Sequence, residues 1–294
     1  MNFNNLRHSA LFAESWNVAF RKMPTGSILS DRDAPFHVIP NPLRYWAADP
    51  FIIERNGDTF IFAELYDYFL RRGILGCCQI INNRPTAWIP VIQEPFHLSY
   101  PCVAEADGAI YLIPESCAAE ALIAYKAVEF PYKWEKHAII RDHVHFADTT
   151  PLENGLALTH QVSDPQSPKL TLIDLKRIHS DITISDAIPF QSRPAGQFFE
   201  HNGQRIRPAQ LSTDPGNGYG KGLIFYHCEI DTDQYSEKEI QRILPSFLSY
   251  DRPIYLDGMH TYNSSSHYEV IDIKTRRFNL INFIMRIISK IIDR

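Results

Sequence analysis

Apolar and polar positions along this chain alternate in short runs, and the same kind of turn breaks them repeatedly. Residues 97–116 show the unit. His97, Ser99 and Tyr100 lead into a short apolar strand and Asp107-Gly108 makes a tight turn. Ile110, Leu112 and Ile113 then carry a return strand ending in Glu115-Ser116. Asp-Gly suits such a turn because glycine accepts a positive φ without steric penalty. The unit recurs. Ala48-Asp49-Pro50 opens a strand that turns at Asn56-Gly57 and returns as Phe60 to Glu64. Ala147-Asp148-Thr149-Thr150 precedes Asn154-Gly155 and a return through Leu156 and Leu158. Arg193-Pro194-Ala195-Gly196 precedes Asn202-Gly203 and returns to Arg207-Pro208-Ala209-Gln210. Gly258-Met259-His260-Thr261 starts a fifth copy, with Ser264 to Ser266 at its turn and Val270-Ile271-Asp272 on the return.

The first four turns are separated by 51, 47 and 48 residues. A strand-built repeat of about that length marks a β-propeller with one four-stranded blade per repeat. Five copies predict an all-β, five-bladed propeller whose leading polar residues converge on the central axis. Residues 11–23 read as the strand that closes the ring, since an open ring would leave unpaired edges. His37 to Pro40 start the run toward blade one, and Ser236 to Leu244 read as a short helix inserted before blade five. In the tail the period changes: Leu280, Phe283, Ile284, Ile287, Ile288, Ile291 and Ile292 fall on one helical face, among Arg276, Arg277, Arg286, Lys290 and Arg294. The propeller is therefore assigned to 1–275 and a basic amphipathic helix to 276–294. Such a helix suits the surface of an anionic membrane; packing on the propeller or on a second copy is the alternative.

Composition narrows the classes. The 294 residues are 45% hydrophobic with a net charge of −5, enough for a large core and a poor match to nucleic acid as partner. The cysteines at 77, 78, 102, 117 and 228 show no metal-ligand spacing and read as reduced structural thiols; neither a metal nor a cofactor is expected. Residues 1–24 carry Arg7, His8, Glu14, Arg21 and Lys22 with no uninterrupted apolar stretch, which reads as a cytoplasmic protein, peripheral on the inner face of the membrane.

Several phrases together resemble a known group: Trp46 to Phe51, His97 to Pro101, Tyr111 to Ser116, Phe130 to Trp134, Asp148-Thr149-Thr150, Arg193 to Gly196, Arg207 to Gln210 and His260-Thr261. They are similar to the five-bladed propeller domain at the N-terminus of glucosamine inositolphosphorylceramide transferases and its bacterial polysaccharide-biosynthesis relatives. That domain is in turn similar to glycoside hydrolase family 43. The resemblance covers most of residues 40–275. It implies that Asp49 stands at the hydrolases' catalytic base position, with Glu115 and Asp148 as the other axial carboxylates. An inverting hydrolase needs one carboxylate to activate water and a protonated carboxyl to donate to the leaving oxygen. The chain departs from that pattern, with Tyr100 where the second blade would show an Asp and Arg193 and Arg207 where a further acid is wanted.

The candidate catalytic residues are thus Asp49, Glu115 and Asp148. The candidate substrate-binding residues are Trp46, Glu64, His97, Tyr100, Arg193, Arg207, Gln210, His260 and Thr261. Two arginines and a histidine suit an anionic ligand, such as a nucleotide sugar or sugar phosphate. The leading expectation is a glycosyltransferase of cell-surface glycan assembly, acting on a glycan or lipid-linked acceptor. The alternatives are a family-43-like glycoside hydrolase and a non-catalytic glycan-binding or scaffolding propeller. Bland roles compete at each position: Arg193 and Arg207 as clamps between blades, His97 and His260 as structural residues, Trp46 and Trp88 as core.

Overall fold

The computed structural model describes residues 12–23, 27–152, 155–162, 169–175, 182–183, 193–211, 219–230 and 235–292. The chain enters as β1 (Phe12–Lys22), a single helical turn α1 (Ser27–Ser30) and the short strand β2 (His37–Val38). Blade one follows as β3 (Tyr45–Arg55), β4 (Asp58–Asp67) and β5 (Arg72–Ile81), with β6 (Arg84–Pro85) and β7 (Ile89–Ile92) both paired to β5. Blade two is β8 (Ser99–Ala106), β9 (Ala109–Glu115), β10 (Ala121–Glu129) and β11 (Lys133–Asp142). Blade three is β12 (Phe146–Pro151), β13 (Leu156–Gln161), β14 (Lys169–Asp174) and β15 (Ile182–Thr183). Blade four is β16 (Phe199–His201), β17 (Gln204–Leu211), β18 (Gly222–Ile230) and β19 (Tyr235–Ile243). The last blade begins with β20 (Tyr262–Ser264) and β21 (Tyr268–Phe278) and is completed by β1 and β2 from the other end of the chain.

The five-bladed propeller read from the repeats is therefore observed, and so is its closure. Strand β1 pairs with β21 along its whole length, from Phe12 opposite Phe278 to Lys22 opposite Tyr268. The turns at Asn56-Gly57, Asp107-Gly108 and Asn202-Gly203 have both residues at positive φ, the geometry that suits right-handed strand twist. Asn154 lies outside the described residues; its neighbour Gly155 has φ +84°.

The core sits between consecutive blades, so most strands are apolar on both faces. Cys77 and Cys78, adjacent on β5, show this: Cys77 packs with Phe51, Tyr100 and Leu112 toward blade two, and Cys78 with Val18 and Phe20 toward blade five. All five cysteines are free thiols. Trp88 is core, as the bland reading had it.

Two expectations are corrected. Residues 236–244 are not a helix: Tyr235–Ile243 is the outer strand β19, paired to β18 from Ile230 opposite Tyr235 to Leu223 opposite Ile243. Its Glu, Lys, Gln and Arg residues favour helices in isolation, but the unpaired edge of β18 overrides that weak preference. His37-Val38 does not lead toward blade one but forms the fourth strand of blade five, opposite Phe20 and Ala19. The tail expected as a helix over 276–294 forms α2 (Leu280–Ile292), with Leu280, Ile284, Ile287 and Ile288 exposed, while Arg276, Arg277 and Phe278 still belong to β21. No described helix is long and apolar enough to cross a membrane.

Candidate active site on the propeller axis

The inner strands of blades one, two and three are broken at equivalent places. Pairing slips between Ala48 and Phe51, between Ser99 and Cys102, and between Ala147 and Thr150. At each slip one residue turns left-handed: Asp49 at φ +51°, Tyr100 at +46° and Asp148 at +52°. A bulge of this kind re-aims a side chain, and non-glycine residues held at positive φ cluster at functional sites. The second strands add a register-matched set. Glu64 lies opposite Ala48, Glu115 opposite Ser99 and His160 opposite Ala147. In blade four the Gln210 N–H bonds Arg193 O, and in blade five the Asp272 N–H bonds Thr261 O.

Two groups of charges result. In the first, Asp272 is fully buried and accepts from the N–H groups of Asp49, His260 and Thr261 at 3.1, 2.8 and 3.0 Å. It also meets His260 Nδ1 at 2.5 Å, which directs the other ring nitrogen, Nε2, toward Asp49 Oδ1 at 3.6 Å. Asp49 accepts from Thr261 Oγ1 at 3.0 Å and from the Tyr100 N–H at 3.2 Å. Trp16 stacks on the His260 ring at 4.1 Å. Burial would lower the His260 pKa, but Asp272 and Asp49 outweigh it and raise it. Burial raises Asp49, against the pull of His260. Asp49, His260 and Asp272 are spaced to hold a cation. However, both Asp272 oxygens already accept N–H groups, and Oδ2 also faces His260 Nδ1.

In the second group Arg193 donates from Nε to Asp148 and from Nη2 to Asp148 Oδ1 (3.2 Å) and Glu115 Oε2 (2.9 Å). Gln210 Nε2 donates to Asp148 Oδ2 at 3.0 Å. Burial pushes Asp148 up to about 7, despite Arg193. Beside these lies Glu64, carried well above the ordinary carboxyl range by burial and then by Asp49 and Glu115. His97 accepts the Gly73 N–H at Nδ1 (2.9 Å) and turns Nε2 toward Glu64 at 3.5 Å. A Cβ at Gly73 would stand 2.3 Å from Leu98 O and 2.5 Å from Glu64 Oε1, so only glycine fits this approach. Burial lowers the His160 pKa to about 4, helped by Arg193.

Ten of the twelve residues singled out from sequence thus fall within these two groups or, as Glu64 and His97 do, beside them, though not always as ligand contacts. Tyr100 is fully buried; its hydroxyl bonds Thr150 and accepts the Gly196 N–H, so what it offers Asp49 is its backbone. Thr261 and Gln210 are buried too and position Asp49 and Asp148. Arg207 does not join. Its side chain is 1% exposed, paired to Glu237 at 2.7 Å and set over the Tyr226 ring, because it lies mid-strand on β17 facing the outer strands of its blade. Trp46 also stands apart, stacked on Tyr66 at 5.0 Å. Among the described residues the axis therefore lacks the arginine pair expected for an anionic ligand, and Arg193 is already engaged by Asp148 and Glu115. Asp272, His160 and Trp16 were missed. The first two are the register equivalents of Glu64 and Glu115, and extending that register through all five repeats is the signal that finds them.

Residues 34–153 match the family described as glucosamine inositolphosphorylceramide transferase 1, N-terminal. The chain is similar to that domain. The Arabidopsis thaliana glucosamine inositolphosphorylceramide transferase 1 is 33% identical over 96 residues, 32% of this chain and 12% of the relative. The Oryza sativa subsp. japonica protein of the same name is 28% identical over 182 residues, 61% of this chain and 23% of the relative. The matched region thus spans less than a quarter of these relatives' length. Among solved structures, the catalytic domain of a Coprinopsis cinerea GH62 α-L-arabinofuranosidase aligns with TM-score 0.58 at 9% identity, covering 87% of this chain and 97% of that one. A family 117 glycoside hydrolase of Zobellia galactanivorans aligns at 0.52 and 11% identity, covering 90% and 91%. The resemblance read from the motifs holds, and these two enzymes share the fold.

Proposed function

We propose that the chain is a carbohydrate-active enzyme that transfers a sugar at the propeller axis to a glycan or lipid-linked acceptor. The observation that carries this is the pair Asp49 and Asp148, delivered by equivalent bulges into different surroundings. Enzymes that work on glycosidic bonds need two carboxyls kept in different protonation states. Asp49, oriented by Thr261 and faced by His260, is the base that takes the acceptor hydroxyl's proton. Asp148, pushed up to about 7 by burial despite Arg193, is the acid that protonates the leaving oxygen. Glu115 and Arg193 hold it in place. The name carried by the similar plant proteins supports transfer. A phosphorylated donor would have to share Arg193 with its two carboxylates, since Arg207 is out of reach.

Hydrolysis is the second reading, favoured by the absence of an uncommitted cation beside the two carboxyls among the described axial residues. Purified protein is to be incubated with nucleotide sugars or sugar phosphates plus acceptor, and separately with neutral oligosaccharides. Product from the first set alone supports transfer; reducing ends released from the second alone support hydrolysis. If Asp49→Asn turns over as fast as the parent, both lose their base.

The exposed stripe Leu280, Ile284, Ile287 and Ile288 adds a membrane-facing role for α2, with anionic lipid attracting Arg277. Equal co-sedimentation of the full chain and a chain ending at 279 with anionic vesicles would remove that role.

A further inference from the structure

Blade one carries an aromatic cleft a short step from the axis. Glu64 and Tyr66 are two residues apart on β4 and so share a face, which sets Tyr66 about 7 Å along the strand from Glu64, and Tyr68 follows in the turn after the strand, its ring edge-on to Tyr66 at 5.9 Å. Trp46 is the cross-strand partner of Tyr66, and their rings lie nearly parallel, at 6°. Thus the two strands that bring Asp49 and Glu64 to the axis also carry an aromatic platform about one sugar unit away.

A cavity of about 450 Å³ opens at this platform, walled by Trp46, Tyr66, Tyr68, Arg71, Arg276 and, from α2, Met285. Its polar groups are only partly committed, with Arg71 interacting with the Tyr66 hydroxyl. The Tyr68 hydroxyl and Arg276 Nε are buried without a hydrogen-bond partner, and Tyr68 is only 3% exposed. Among the described residues neither Arg71 nor Arg276 is paired with a carboxylate. Glu14, also at the cavity, is committed to Lys274 at 3.0 Å. The cleft is therefore aromatic, with two arginines against the one carboxylate of Glu14, which stands opposite Arg276 on the paired strand, in contrast to the axis, where Arg193 is engaged by Asp148 and Glu115.

We infer that this cleft binds one unit of the glycan, its ring against Trp46 and Tyr66 and an anionic substituent, carboxylate or phosphoryl, between Arg71 and Arg276. Flat aromatic faces suit the apolar face of a sugar ring, and the guanidinium fork suits both anions. The inference rests on the reading of the axis as a glycan-processing site and supplies the charge recognition that the axis lacks.

The test is binding, read apart from turnover. The full chain is titrated with glucuronic acid, glucose 6-phosphate and glucose, followed by saturation-transfer NMR. One or both charged probes should bind at least tenfold more tightly than glucose, and which one does so names the anion. Arg71→Gln with Arg276→Gln should erase that preference, Arg71→Lys with Arg276→Lys should keep most of it, and Trp46→Ala should weaken every probe. Charged probes binding no better than glucose, or a preference surviving the double glutamine variant, overturns the inference even if the enzyme turns over. Asp49→Asn should leave binding as it is. An intact preference with no turnover would count against the axial reading alone.

Discussion

Two buried charge clusters, one in the wall of blade five and one on the axis, are built from the same side chains to opposite ends. In the wall, Arg21 donates to Glu269 at 2.6 Å and to the carbonyls of Ala34 and Asp31 at 2.6 and 2.7 Å. Glu269 also accepts from the Ile28 N–H and the Tyr262 hydroxyl. Nothing is left over. On the axis Glu64 Oε1, His160 Nδ1 and Gln210 Oε1 are buried without a hydrogen-bond partner. Buried polar atoms without partners are rare in native structures, and a site awaiting a ligand is one place they are tolerated. The wall is a finished network that ties the chain's first strand to its last blade. The axis is unfinished.

The sharpest way to break this comparison is Asp49→Asn. It keeps the shape of the side chain and one of its two acceptor oxygens while removing the base, so that one of the hydrogen bonds from Thr261 Oγ1 and the Tyr100 N–H goes unmade. Turnover should fall by about 10²- to 10⁴-fold, the usual worth of a positioned general base, with the melting temperature nearly unchanged. A large drop in melting temperature would place Asp49 with the structural cluster instead. The mirror experiment is Glu269→Ala, which strands Arg21 without its carboxylate. Breaking one partner of a buried pair costs about 3–5 kcal/mol, so denaturant unfolding should shift by that amount while activity per folded molecule holds. Gly73→Ala touches both regions more gently. Its methyl must push aside either Leu98 O or Glu64 Oε1, for a loss of about 1–3 kcal/mol by overpacking. Activity should fall along with stability, since the displaced oxygen belongs to the axis.

Much of this was legible because turns and repeats are local. Asn56-Gly57, Asp107-Gly108 and Asn202-Gly203 announce hairpins through their own backbone preferences, and their spacing announces the ring. The leading polar residues Asp49, Tyr100 and Asp148 were found for the same reason, although the bulges that aim them leave no trace in composition. What failed was long-range. Arg207 echoes Arg193 through a repeated Arg-Pro-Ala, yet only pairing reveals that one precedes the inner strand and the other sits inside the second strand. Asp272 reads as the polar end of an apolar run, and its role depends on backbone N–H groups from Asp49, distant in sequence. Residues 236–243 have helix-forming side chains, and only the presence of β18 makes them a strand.

The mildest expected effect is a pH dependence that separates the clusters without mutation. Burial pushes Asp148 from an ordinary 3.8 up to about 7 in the fold, outweighing the pull of Arg193. As the acid of the reaction it is active only when protonated. The rate limited by it should therefore decline above pH 7, approaching tenfold per pH unit, about 1.4 kcal/mol. The same titration acts on stability with a definite sign. Between about pH 4 and 7 the folded chain keeps a proton on Asp148 that the unfolded chain has lost, so this group's contribution falls as pH rises through that window. Asp148→Asn should flatten that part of the melting-temperature profile, while Glu269→Ala should leave it in place. A wild-type rate that stays level from pH 7 to 9 would remove Asp148 from the acid's role and leave its proton a matter of burial alone.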